Sequence, residues 1–115
     1  MLNREQMVQL SMLMILEAGN AQNLIQDALR EIEELKYVDA DDLLKSADEH
    51  LIKAHQHQTE IIQKEADDEN VEYLALFSHA QDTLMSVKSE YRITISLMSL
   101  VKTINDRMNQ LEERR

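Results

Sequence analysis

The chain of 115 residues has no cysteine, no proline, no tryptophan and a single glycine, Gly19. Without cysteine there is no thiolate nucleophile, no cysteine-based zinc site, no iron–sulphur cluster and no disulfide. One glycine cannot build a glycine-rich phosphate loop or a dinucleotide fingerprint. The usual punctuation of tight turns and hairpins is also missing, so helices have few places to stop. No apolar run of about 18 residues is present, and hence no spanning helix is expected. The start, Met1-Leu2-Asn3-Arg4-Glu5, lacks the basic-then-apolar layout of a signal peptide, which makes the cytoplasm the expected location. With one Phe and three Tyr, nothing signals a large apolar ligand cavity.

Cations are also few. Twelve Lys and Arg stand against 22 Asp and Glu, a net charge of −10. Phosphate neutralisation dominates nucleic-acid affinity, so an acidic chain of this size is a poor nucleic-acid binder. An anionic membrane surface is disfavoured by the same argument. The length predicts one domain over residues 1–115. The 43% hydrophobic content favours a folded chain over a disordered one.

The periodicity predicts an all-α fold of three long helices. The first begins at Asn3 as N-cap, with Gln6 as its capping-box partner. Met7, Met14, Ala18, Ala21, Ile25, Ala28, Ile32 and Leu35 follow a three-to-four spacing, with Ser11 as the one polar member. Gly19 inside this helix costs about 1 kcal/mol against alanine. A close helix approach or a bend would offset that. Lys36-Tyr37-Val38 reads as the first break, with Asp39 as the next N-cap. The second helix carries Ala40, Leu44, Ala47, Leu51, Ala54, Gln58 and Ile61 on one stripe. Asp67-Asp68-Glu69-Asn70 ends it, because Asp and Asn favour turns and caps. The third helix is expected from about Val71, with residues from about 105 to the charged Glu112-Glu113-Arg114-Arg115 end frayed.

The third helix carries two stripes. Tyr73, Phe77, Ala80, Leu84, Val87, Tyr91, Thr94, Met98, Val101, Asn105 and Met108 alternate steps of four and three, which is coiled-coil spacing. Asp82, Ser86, Ser89, Ile93, Ser96, Leu100 and Thr103 do the same on roughly the opposite side. A three-helix monomer buries only one face per helix. The second stripe is therefore either a solvated serine-rich face or a surface for self-association around a symmetry axis. The methionines Met7, Met12, Met14, Met85, Met98 and Met108 read as core filler.

Four histidines are the candidates for chemistry. His50 reads as solvated surface. His55 and His57 point about 200° apart on a helix and cannot share a metal. His55 shares a face with Gln58, Thr59 and Ile62 and is expected to be a half-buried, hydrogen-bonded side chain. His79 lies near the start of the third helix, with Asp82 three residues on and on the same side. A di-iron bundle site needs Glu three residues before His, but Ala47, Ile52, Ala54 and Leu76 occupy those positions. A neutral imidazole is a nucleophile at physiological pH and can accept a phosphoryl group and pass it on.

Leu76-Phe77-Ser78-His79-Ala80-Gln81-Asp82-Thr83-Leu84-Met85 resembles the phosphorylation-site signature of the lactose/cellobiose-type enzyme IIA components of the bacterial phosphoenolpyruvate-dependent sugar phosphotransferase system. Ala18-Gly19-Asn20-Ala21 is similar to a second block of that family. Ala54-His55, Gln58-Thr59 and Glu65-Ala66 are similar to a third. The resemblance spans about Asn3 to Ile104.

It implies an up-down-up bundle of three antiparallel helices, assembled as a homotrimer. His79 would be the phosphoryl acceptor, taking the group from the phosphocarrier HPr and giving it to a cysteine of a sugar-specific IIB component. Asp82 would be the axial aspartate, where three carboxylates meet around a divalent cation, commonly Mg²⁺. Gln81, Gln58, Thr59 and His55 are candidate hydrogen-bonding neighbours of the phosphoryl site, and Gly19 would admit the first helix to it. The family usually has a second histidine where this chain has Thr83, which can assist only as a hydroxyl. A non-catalytic helical interaction module, docking through the third helix, is the alternative reading.

Overall fold

The computed structural model describes residues 3–67 and 73–114. They form three helices, α1 (Arg4–Glu33), α2 (Tyr37–Asp67) and α3 (Ala75–Glu113). There is no strand among the described residues. The expected start of α1 is present in full. The Asn3 side chain accepts from the Gln6 backbone N–H at 2.9 Å, and the Gln6 side chain accepts from the Asn3 N–H at 3.0 Å. Two orphan donors of the first turn are thereby satisfied.

The first turn of the chain differs from expectation. The break lies at Glu34-Leu35-Lys36, and Tyr37 already opens α2, so Asp39 is a first-turn acid and not an N-cap. The reason is a helix stop made without glycine. Leu35 adopts φ 61, its N–H donates to the Ile32 carbonyl, and the Lys36 N–H donates to the Glu31 carbonyl. This is the Schellman arrangement, which closes a helix through a left-handed residue. Leu35 therefore leaves the apolar stripe and is exposed.

The short turn makes α2 antiparallel to α1. A Gln22–Glu90 hydrogen bond places α3 beside α1 and parallel to it. Lys102, whose Nζ lies 5.1 Å from the Tyr37 ring centroid, marks where α3 passes the start of α2. The up-down-up order follows. The core is Met7, Met14, Ile25 and Ile32 of α1, Leu44, Leu51 and Ile61 of α2, Phe77, Leu84, Val87 and Met98 of α3, and a set of fully buried alanines. Alanine carries no side-chain entropy cost and lets backbones approach. Ser11 is buried with them as expected.

Three further expectations need correction. Met12, Met85 and Met108 are exposed, so only Met7, Met14 and Met98 fill the core. A Cβ placed on Gly19 would meet nothing within 4 Å, so no close helix approach within the chain explains that glycine. Tyr73 precedes α3 and is exposed, hence the seam begins at Phe77; Val71 lies outside the described residues. α3 extends to Glu113.

The left-handed Leu35 gives a test. A residue with a Cβ costs about 1–2 kcal/mol there, and glycine does not. Leu35→Gly should raise stability by about 0.5–1 kcal/mol, read as a higher denaturant midpoint at unchanged slope. A lower midpoint would contradict the assignment of strain to this residue.

Candidate functional site

His79 sits in the second turn of α3, on an exposed and regular stretch of helix. Side chains on a helix lean towards its N-terminus, so the imidazole overlies the first turn. Among the described residues that turn has no side-chain cap and no acidic residue. The Leu74 carbonyl accepts from the Phe77 and Ser78 N–H groups. The positive end of the α3 dipole favours an anion carried by the ring. Ser78 Oγ lies 3.3 Å from the Tyr73 hydroxyl and ties the extended residues before α3 to the helix start. The sequence pattern did not signal that contact.

Among the described residues the His79 ring has no hydrogen-bond or ion-pair partner. Thr83, one turn on, is half-buried and donates its hydroxyl to the His79 carbonyl at 2.9 Å. Its proton is thus committed to the backbone. Asp82 is exposed on the same side as His79, and no cation pairs with its carboxylate among the described residues. Ser86, Ser89, Ile93, Ser96, Leu100 and Thr103 continue that stripe, and every one is exposed.

The other candidates are not brought to His79 within the chain. Gln81 is half-buried and points about 200° around the helix from His79. His55 is exposed, not half-buried as expected. It lines a groove between α2 and α3 with Leu51, Ile52, Lys88, Tyr91 and Arg92. Lys88 is nine residues beyond His79, about 13 Å along the axis. Burial pushes the Tyr91 phenol up from its ordinary pKa, and Asp48 and Asp41 add to this. Gln58 and Thr59 are half-buried near one end of α2. None of Gln81, Gln58, Thr59 or His55 is hydrogen-bonded to His79.

The Gln22–Glu90 bond sets Gly19 roughly level with Val87, about 12 Å from His79 along the axis. His50 is not solvated surface. Its Nδ1 meets Glu17 Oε2 at 2.5 Å in a partly buried pair that joins α1 to α2. Leu16 of α1 is an exposed apolar residue that the core reading did not consider, and it lies beside the exposed Met12 that was read as core filler. Their position off the main stripe was the signal.

A model of the PTS system lactose/cellobiose-specific IIA subunit matches residues 9–102. The chain belongs to that IIA family. Its relatives include the oligo-beta-mannoside-specific EIIA component of Bacillus subtilis, 37% identical over 84% of this chain and 88% of that one. The crystal structure of the PTS cellobiose-specific enzyme IIA from Bacillus anthracis superposes with a TM-score of 0.81 at 32% identity, covering 92% and 95% of the two chains. The N,N'-diacetylchitobiose IIA of Escherichia coli, solved in complex with HPr, has the same fold with a TM-score of 0.77 at 22% identity, over 86% and 96%. The membership accounts for the three sequence blocks together. In this IIA chain they lie on three different helices, and only the α3 block surrounds the exposed imidazole.

Because His79 is exposed and unpartnered, its replacement should leave the fold intact. His79→Ala is expected to change unfolding free energy by no more than about 0.5 kcal/mol. Circular dichroism and thermal unfolding check this. A loss of several kcal/mol would mean that the ring has a structural role.

Proposed function

We propose that this IIA chain is a phosphohistidine carrier. His79 takes a phosphoryl group from HPr and delivers it to the cysteine of a sugar-specific IIB component, in the cytoplasm, for uptake of a lactose-, cellobiose- or chitobiose-type sugar. The observation that carries this reading is the exposed His79 ring, unpaired among the described residues and one turn from the N-terminal end of α3, within the segment that the family match covers. A ring nitrogen lone pair attacks phosphorus, a P–N bond forms, and the bond from phosphorus to the donor breaks. In the second step the IIB thiolate attacks, an S–P bond forms, and the lone pair returns to the ring. Positioning and charge stabilisation are what the protein contributes. The first-turn N–H groups of α3 face the transferring group. Thr83 can join them by releasing the His79 carbonyl. The acidic surface suits a basic donor face on HPr.

The chain works as a homotrimer around α3. Its support is the exposed stripe from Asp82 to Thr103, with Ile93 and Leu100 66% and 54% exposed. Such apolar area facing water is disfavoured, and a threefold axis covers it. Assembly also lets Gln58, Thr59 and His55 of α2 reach a His79 that they do not touch in their own chain. Among the described residues no chain by itself gathers three metal-ligating side chains. A hard divalent cation takes six or more oxygens, and a single surface carboxylate with water holds it only weakly. Three Asp82 carboxylates at an axis fit such an ion, with water completing the shell. An Mg²⁺ there offsets their mutual repulsion.

Incubation with phosphoenolpyruvate, enzyme I and HPr should add one acid-labile phosphoryl group per chain by intact mass, and His79→Ala should abolish it. Undiminished uptake in that variant would remove His79 from the role. No uptake by the wild type itself would instead favour the interaction-module reading. For the axis, light scattering should show a chelator loosening the wild-type trimer and leaving Asp82→Asn associated. Equal indifference of both proteins to the chelator would remove the cation.

A further inference from the structure

On the phosphocarrier reading His79 bears an anionic group, and the segment around it holds no cation. No Lys or Arg stands between Lys64 and Lys88. Lys88 is itself about 13 Å from His79 along α3. Within this block the charge on the phosphoryl oxygens is left to neutral donors. A hydroxyl donating to an anionic oxygen makes one of the stronger hydrogen bonds.

Three hydroxyls lie close to His79 in the chain, and they differ in where their protons go. Thr83 donates to the His79 carbonyl at 2.9 Å. Ser78 donates to the Tyr73 hydroxyl at 3.3 Å. A phenol is both acceptor and donor. The Tyr73 oxygen accepts the Ser78 bond with a lone pair, and its own proton has no acceptor among the described residues. Of the three, Tyr73 alone has a donor to spare.

Its placement suits the ring. Tyr73 lies two residues ahead of α3, is 80% exposed and is not part of the core, so burial does not explain where it sits. Leu74 is extended, with φ −128 and ψ 112, which keeps Tyr73 out of the first turn. The Ser78 bond brings the phenol oxygen back along the helix to the residue next to His79 in sequence. Adjacent Cα atoms are only about 3.8 Å apart. The imidazole leans towards the same N-terminal end of α3. Ring and phenol thus converge on the start of the helix.

We propose that Tyr73 is a catalytic residue of the transfer, donating a hydrogen bond to an oxygen of the phosphoryl group as that group passes to and from His79, with Ser78 as the residue that positions it. The proposal rests on the phosphocarrier reading and names a further member of the same site. No bond to Tyr73 forms or breaks, and its proton stays on the phenol. The P–N bond forms as the bond from phosphorus to the donor breaks, and the phenol stabilises charge on an oxygen that keeps its place on phosphorus.

The test measures single-turnover transfer from phosphorylated HPr to the full-length chain over a range of HPr concentrations. Tyr73→Phe removes one oxygen and keeps the ring, so circular dichroism should not change. Its rate at saturating HPr should fall about tenfold, with the half-saturating HPr concentration unchanged. Ser78→Ala should slow transfer less, and should cost nothing further in the Tyr73→Phe background, because it acts through the phenol. Transfer by Tyr73→Phe at the wild-type rate would overturn the proposal and leave His79 as the carrier. A raised half-saturating concentration at unchanged maximal rate would make Tyr73 a docking contact for HPr and overturn it equally. Independent, additive losses from the two substitutions would overturn the positioning role of Ser78. A wild type that takes up no phosphoryl group would overturn the carrier reading itself, and this proposal with it.

Discussion

The close contact of α1 with α2 is what the rest of the molecule depends on. It is built with alanine: Ala18, Ala21 and Ala28 of α1 and Ala40, Ala47 and Ala54 of α2 are fully buried. Small side chains bring the helix axes near one another, and Met14, Ile25 and Ile61 fill the remaining space. The Glu17–His50 pair adds a polar tie across the same contact. α3 then lies along one side of this tight pair. It gives its Phe77–Leu84–Val87–Met98 edge to the core, and the opposite edge is left uncovered.

That geometry explains why the candidate chemistry is on α3. A helix packed along one edge holds its backbone firmly while its outer side chains stay accessible, which is what a relay between two partner proteins needs. Among the described residues His79 is neither buried nor paired, and it lies one turn from the positive end of α3. The phosphohistidine reading needs no cavity around the ring. The groove that the chain does form, at His55 and Tyr91, is separated from His79 along the helix.

The same two-sided helix links the site to assembly. Asp82 is three residues from His79 and begins the uncovered stripe. On the trimer reading, assembly along that stripe also sets the surroundings of the ring. Past Val101 no hydrophobic side chain of α3 packs on the core among the described residues, and Ile104, Met108 and Leu111 are exposed.

Much of this was legible in the sequence. The scarcity of glycine and proline and the three-to-four spacing determined three long helices, their buried faces and the Asn3–Gln6 cap, because these depend on neighbours within one or two turns. The block around His79 marked the candidate acceptor and the family. Leu35 was not legible as the helix stop, because a left-handed leucine contradicts its own propensity and is held by the tight return into α2. Nor could spacing show that His50 reaches Glu17, that Thr83 is tied to the His79 carbonyl, or that His55 lines a groove with Tyr91. Such facts depend on which side of a helix meets which neighbour and at what height. Periodicity reports a face but not its partner. Only the packed structure decided that α3 outruns its neighbours and leaves an apolar edge open along its length.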